Sequence, residues 1–167
     1  MSRIVCLIPG DGIGPEVTRA ACRIIDAAGG DIEWLECPAG LAAEREHGEL
    51  LPASTIDAIR RHHVALKGPI TTPVREGHAS LNVRLRKIFN LYAAVRPIRS
   101  LPGVRTRYEG VEIVVIRENT EGLYSGLEHE IIPGVVESIK VATREGCRRI
   151  ARFAFRYARE RGRKRVT

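Results

Sequence analysis

Residues 3–8 form a continuous apolar run that ends in Pro9-Gly10-Asp11-Gly12-Ile13-Gly14-Pro15. Such a run fits a fully buried strand. Proline is tolerated at the first position of a helix, because its missing N–H has no intrahelical partner there. Val17, Ala20, Ala21, Ile24 and Ile25 then recur at helical spacing up to Gly29-Gly30. Strand, glycine loop and helix in this order open an α/β unit.

The loop itself has two readings. Its N–H groups can cradle a phosphate at the helix N-terminus, or its glycines serve a turn that needs positive φ. The spacing fails the dinucleotide fingerprint G-x-G-x-x-G, since Pro15-Glu16 stands in its path, and Glu36 is only a weak match for the ribose-binding acid.

Further elements follow from pattern. Ile32 to Cys37 reads as a strand, Leu41 to His47 as a charged helix, and Ser54 as the N-cap of another helix. Val64 to Lys67 is a short strand. Ser80 to Phe89 is a basic helix, Leu91 to Val95 a strand, and Val111 to Ile116 the clearest strand of all. Residues 128–141 hold two β-branched runs around Pro133-Gly134, the pattern of a hairpin arm. From Thr143 to about Arg161 the apolar residues keep helical period. The prolines and glycine between Arg96 and Gly103 mark the domain boundary.

Chemistry concentrates in the polar connections. Arg84, Arg86 and Lys87 crowd the basic helix with Ser80 and Asn82; Arg96 and Arg117 end separate strands. Planar guanidinium groups grip carboxylates bidentately, so three converging arginines (Arg86, Arg96, Arg117) suit a substrate with two or three carboxylates. Tyr124, seven residues after Arg117 in a glycine-flanked polar stretch, is a candidate proton donor.

The net charge of +7 does not choose between an anionic small substrate and nucleic acid. Arg144, Arg148, Arg149, Arg152, Arg156 and Arg159 load the last helix. Glu145 and Glu160 interrupt that face, no aromatic platform accompanies it, and it reads as a solvated basic face rather than a nucleic-acid patch. Cys6, Cys22, Cys37 and Cys147 form no C-x-x-C pair and are expected to be reduced, mostly buried thiols. No apolar run approaches the roughly 20 residues of a membrane span. The N-terminal run is too short for a secretory signal, so a soluble cytoplasmic protein is expected.

Together these segments resemble the isocitrate/isopropylmalate dehydrogenase family. The resemblance runs through Ile8–Glu16, Lys67–Pro73, Ser80–Lys87, Leu91–Pro97 and Ile116–Gly126. It implies an α/β fold of that family's own type, not a standard Rossmann fold, and present here incompletely. Residues 1–96 would be the first part of a large domain. Residues 97–167 would start a small domain, with an intersubunit arm at 125–141.

The implied function is oxidative decarboxylation of isocitrate with NAD, NADP being possible, and Mg2+ or Mn2+. Ser80 and Asn82 would contact the substrate, Thr72 and Asn82 the cofactor. Arg86, Arg96 and Arg117 would hold carboxylates, and Tyr124 would protonate the enol. Homoisocitrate and 3-isopropylmalate remain alternative substrates, and a non-catalytic basic binding module an alternative of another class. The resemblance further implies a homodimer, with no membrane or nucleic-acid partner. It implies a base, metal ligands and cofactor-selecting loop beyond Thr167, and hence no activity from these 167 residues alone.

Overall fold

The structure, a computed structural model, describes residues 2–71 and 80–167. The chain divides into two compact units, Met1–Asn82 and Val83–Thr167.

In the first unit, β1 (Arg3–Ile8) lies between β2 (Ile32–Glu36) and β3 (Ala65–Lys67), and all three strands run parallel. Three helices accompany them: α1 (Gly14–Ala27), α2 (Leu41–His47) and α3 (Ala53–His62). The core comprises Val5, Cys6, Ile8, Cys22, Cys37, Ala39, Ala43 and Leu51. α1 turns inward the side bearing Gly14, Thr18 and Cys22, while Val17 and Ile24 are exposed. Periodicity alone pointed to Val17 and Ile24. The small residues win because they let the helix approach the loops after β1 and β3.

That approach is close. Thr18 donates its hydroxyl proton to the Pro9 carbonyl at 3.1 Å, and Asp11 N–H donates to the Pro69 carbonyl at 2.8 Å. A Cβ on Gly68 would collide with the Pro9 carbonyl and the Thr18 hydroxyl. Gly10, at φ +84°, faces Pro69 just as tightly. The Asp11 carboxylate accepts from the Leu41 and Ala42 N–H groups at 3.1 and 3.3 Å, capping α2. The glycine loop thus serves packing, and the N–H groups of Asp11 and Gly14 are taken by internal bonds. α3 starts after Pro52, whose extended backbone leads into the helix, so Ser54 lies in the first turn rather than at the cap.

All four cysteines are free; Cys6, Cys22 and Cys37 are buried and Cys147 is exposed. Burial, with Cys6 and Glu36 alongside, pushes the Cys37 thiol up to about 12.

α4 (Leu81–Ile88) carries the division between the units. In the second unit, β4 (Ala93–Arg99) pairs antiparallel with β5 (Glu112–Glu118) along its whole length. The unit division therefore falls ahead of the 96/97 boundary read from sequence. Pro97 does not interrupt β4 but sits opposite Val114, as proline can in a strand with a free edge. β6 (Gly122–Ile132) and β7 (Val135–Val141) form the expected hairpin around Pro133-Gly134, with irregular register at two points. α5 (Arg144–Glu160) is capped by Thr143, whose hydroxyl accepts from Gly146 N–H at 2.9 Å.

Gly68→Ala is expected to destabilise the chain by about 2–3 kcal/mol, because carbonyl and hydroxyl must both move. The urea midpoint measures this; an unchanged midpoint would show that the loops are less tightly packed than described.

Candidate functional site

The β4–β5 ladder sorts the candidate arginines by face. Arg117 lies opposite Ala94, and Arg96 opposite Val115. Directly opposed residues share a face, so Arg96 and Arg117 are diagonal neighbours on one face, a spacing of about 7–8 Å that long side chains bridge. On the other face Glu118 meets α5 through Arg149, and Glu112 meets Arg163 just beyond that helix, each at 3.1 Å. The sheet alternation thus directs the acid next to Arg117 away from it. Neither arginine ends a strand, as the sequence suggested; both lie within one.

Arg117 and Tyr124 meet across the turn between β5 and β6. The Arg117 guanidinium donates a hydrogen bond to the Tyr124 phenol oxygen and also lies 5.0 Å from the centre of its ring. The Arg86 guanidinium, from α4, lies 5.3 Å from the same ring. Aromatic faces attract cations, each such contact contributing about 0.5–1 kcal/mol at a partly exposed site. Lys87 donates to the Ser125 carbonyl at 3.2 Å, tying α4 to β6 beside the tyrosine. Tyr124 is half-buried within β6, not in a loop as its flanking glycines suggested. Two guanidinium groups and a phenol thus converge, and among the described residues neither guanidinium is ion-paired to a carboxylate, an arrangement suited to receiving an anion.

The turn that brings them together is built on one carboxylate. Glu118 accepts from the Thr120 hydroxyl at 2.7 Å, from the Thr120 and Glu121 N–H groups at 2.9 and 2.7 Å, and from Arg149. Burial by itself would raise the Glu118 carboxyl, but these hydrogen bonds outweigh it and hold the group at about 2. Glu121 is held below the usual carboxylate range by the Thr143 hydroxyl and N–H, to which it bonds at 2.5 and 2.9 Å.

Arg149 corrects the sequence reading. It is no part of a solvated face: it bonds Glu118, Thr120 and the Asn90 side chain (3.1 Å) and lies 4.9 Å from the Tyr92 ring centre. The available signal was positional. Arg149 shares a helical stripe with Gly146, Ile150, Phe153 and Tyr157.

Of the remaining predicted residues, Ser80 and Asn82 belong to the first unit, half-buried at the start of α4. Thr72 lies outside the described residues. Among the described residues no group of three His, Cys, Asp or Glu side chains could hold a metal ion. Nor is any described helix long and apolar enough to cross a membrane.

The chain thus joins a parallel α/β unit, whose glycine loop packs against the loop after β3, to a unit in which two arginines flank a tyrosine. The comparisons make this specific: the isocitrate/isopropylmalate dehydrogenase model matches residues 4–167, and the chain belongs to that family. It is 52% identical to the probable mitochondrial isocitrate dehydrogenase [NAD] subunit alpha of Drosophila melanogaster, over 98% of this chain and 43% of that protein. It is 50% identical to the chloroplastic 3-isopropylmalate dehydrogenase of Solanum tuberosum, over 96% of this chain and 45% of that protein. The crystal structure of isocitrate dehydrogenase from Methylococcus capsulatus superposes with a TM-score of 0.89 at 49% identity, covering 98% of this chain and 49% of that one. The chain thus spans less than half the length of these relatives, and the fold is that part of the family's fold.

The relatives also correct the expected location. The similar NAD isocitrate dehydrogenases of animals and yeast are mitochondrial, which points away from the cytoplasm. Organelle addresses are amphipathic and basic, and carry no long apolar stretch, so the apolar pattern of a chain does not report on them.

Because Glu118 is lower in the folded chain than the roughly 4.3 of a free glutamate, its stabilising contribution is complete above about pH 4.3. It is lost as pH falls toward 2. Urea unfolding at pH 5, 4 and 3 should show a steeper loss for the parent chain than for Glu118→Gln. Parallel slopes would contradict the assignment.

Proposed function

We propose that this chain supplies the carboxylate-gripping and proton-donating part of an NAD-dependent dehydrogenase that oxidatively decarboxylates isocitrate. The observation that carries the reading is the Arg86–Tyr124–Arg117 cluster, with Arg96 on the same sheet face as Arg117. Three guanidinium groups match a tricarboxylate, and each bidentate pair fixes orientation as well as contributing attraction. Ser80 and Asn82 add hydroxyl and amide donors that a carboxylate can accept. This favours isocitrate over 3-isopropylmalate, which presents an apolar group there. Identity to relatives named for either substrate does not separate them.

In this reading bound NAD would supply the hydride acceptor for the hydroxyl-bearing carbon, the hydroxyl proton would pass to a general base, and Asn82 would be one of the residues that hold the cofactor. Loss of CO2 from the resulting β-keto carboxylate leaves an enolate. Tyr124 gives its hydroxyl proton to the enolate carbon, which yields the ketone, while the Arg117 N–H bonded to its oxygen stabilises the negative charge left on the phenolate. Arg86 and Arg96 hold the remaining carboxylates. Thr72 would lie against the cofactor. The described residues do not fit a divalent ion, and none is assigned as its ligand.

The hairpin at 125–141 is proposed as an arm that packs on another subunit, either a second copy or a kindred chain. Leu127, Ile132, Val136 and Ile139 are exposed on it, more apolar surface than an isolated two-stranded hairpin can leave bare.

Calorimetric titration with isocitrate tests the assignment. Arg117→Ala should weaken binding about tenfold or more, the loss of one charge-assisted contact. Tyr124→Phe should leave binding within about threefold and, in an assembly that turns over, lower kcat by about 100-fold or more. Equal binding of isocitrate by the parent chain and Arg117→Ala would contradict it.

A further inference from the structure

The contact between Arg117 and Tyr124 depends on where β6 leaves the turn after β5. That turn is attached to α5 at two places. Glu121 bonds the Thr143 N–H and hydroxyl at the helix cap. Six residues on, about 9 Å along the helix axis, Arg149 bonds Glu118 and Thr120. Arg149 reaches further. Its other guanidinium nitrogen donates to Asn90 in the connection from α4 to β4, and its plane lies against Tyr92, which precedes β4. The Tyr92 carbonyl in turn accepts from Asn119 N–H at 2.9 Å, closing a ring of contacts around the turn.

One side chain therefore touches the connection between α4 and β4, the end of β5 and the turn into β6. These segments connect the elements that carry Arg86, Arg96, Arg117 and Tyr124. Its side chain is 25% exposed, and its partner Glu118 is 20% exposed, so the pair is largely removed from water and its geometry is constrained. A planar group with a fixed fork of donors can satisfy Asn90, Glu118 and Thr120 at once; the single ammonium of a lysine cannot reproduce that fork.

We propose that Arg149 is a positioning residue of this site. By fixing the Glu118–Glu121 turn against α5, it sets the distance and angle at which Arg117 meets Tyr124. The proposal rests on the functional reading above only for its consequence for isocitrate binding; the positioning itself is a property of the folded chain.

The test is carbon-proton NMR of the tyrosine rings in the full chain, with the Tyr124 signals identified by Tyr124→Phe. In Arg149→Gln the Tyr124 ring signals should move toward their positions in Arg117→Gln. Asn90→Ala, which removes one arm and no charge, should move them in the same direction by less. Arg148→Gln, which removes the same charge from the exposed side of α5, should leave them in place. Arg149→Lys should restore only part of the shift. On the same samples, isocitrate affinity should fall about tenfold in Arg149→Gln and stay unchanged in Arg148→Gln. Tyr124 signals that coincide with the parent in both Arg149→Gln and Asn90→Ala would overturn the proposal. So would shifts of equal size in Arg148→Gln. Failure of the parent chain to bind isocitrate would instead overturn the functional reading, and the tyrosine shifts would still decide the positioning.

Discussion

A carboxylate largely removed from water must find donors or lose its charge. Glu118 finds four, and this requirement shapes the second unit. Three donors come from Thr120 and Glu121 and force the chain into a tight turn; the fourth comes from Arg149 and holds that turn against α5. Strand alternation does the rest. With Glu118 directed to the helix side of the sheet, Arg117 faces the other way, toward Tyr124. The acid and the base that stabilise the fold occupy one face, and the cations proposed to receive the substrate occupy the other.

This separation explains why the cationic cluster persists without being neutralised from within. Arg86 and Arg117 share a tyrosine ring rather than a carboxylate. The ring holds them near one another at modest cost, so an incoming anion meets donors already in place. Arg149 and Arg163, by contrast, spend their charge on Glu118 and Glu112. The same residue type thus serves structure on one face of β5 and, in the proposed function, recognition on the other.

How much of this was legible depends on the range of the interaction. The first strand, the helix after the glycine loop, the hairpin around Pro133-Gly134 and the long helix after Thr143 all follow from local periodicity and turn chemistry. The cluster of arginines was visible as a set of residue types, and its match to a known family gave each a role. Its geometry was not visible. Arg117 and Tyr124 are seven residues apart and meet only because Glu118 closes the turn between them. Pro97 looked like punctuation, yet a free strand edge accommodates it. Arg149 was hidden by composition: among so many arginines on α5, its place on the inward stripe was the sole clue. α1 misled in the opposite sense, since close packing of loops against Thr18 overrode the preference to bury Val17 and Ile24.

The central claim is that Arg86 and Arg117 form one anion-binding site around Tyr124. Its most direct test is nitrogen-15 NMR of the arginine side chains during titration with isocitrate. The Arg86 and Arg117 guanidinium signals should shift together along one saturating curve, while those of Arg148 and Arg152 on the outer side of α5 stay still. Uniform, non-saturating shifts across all the arginines, or movement of Arg117 without Arg86, would contradict it.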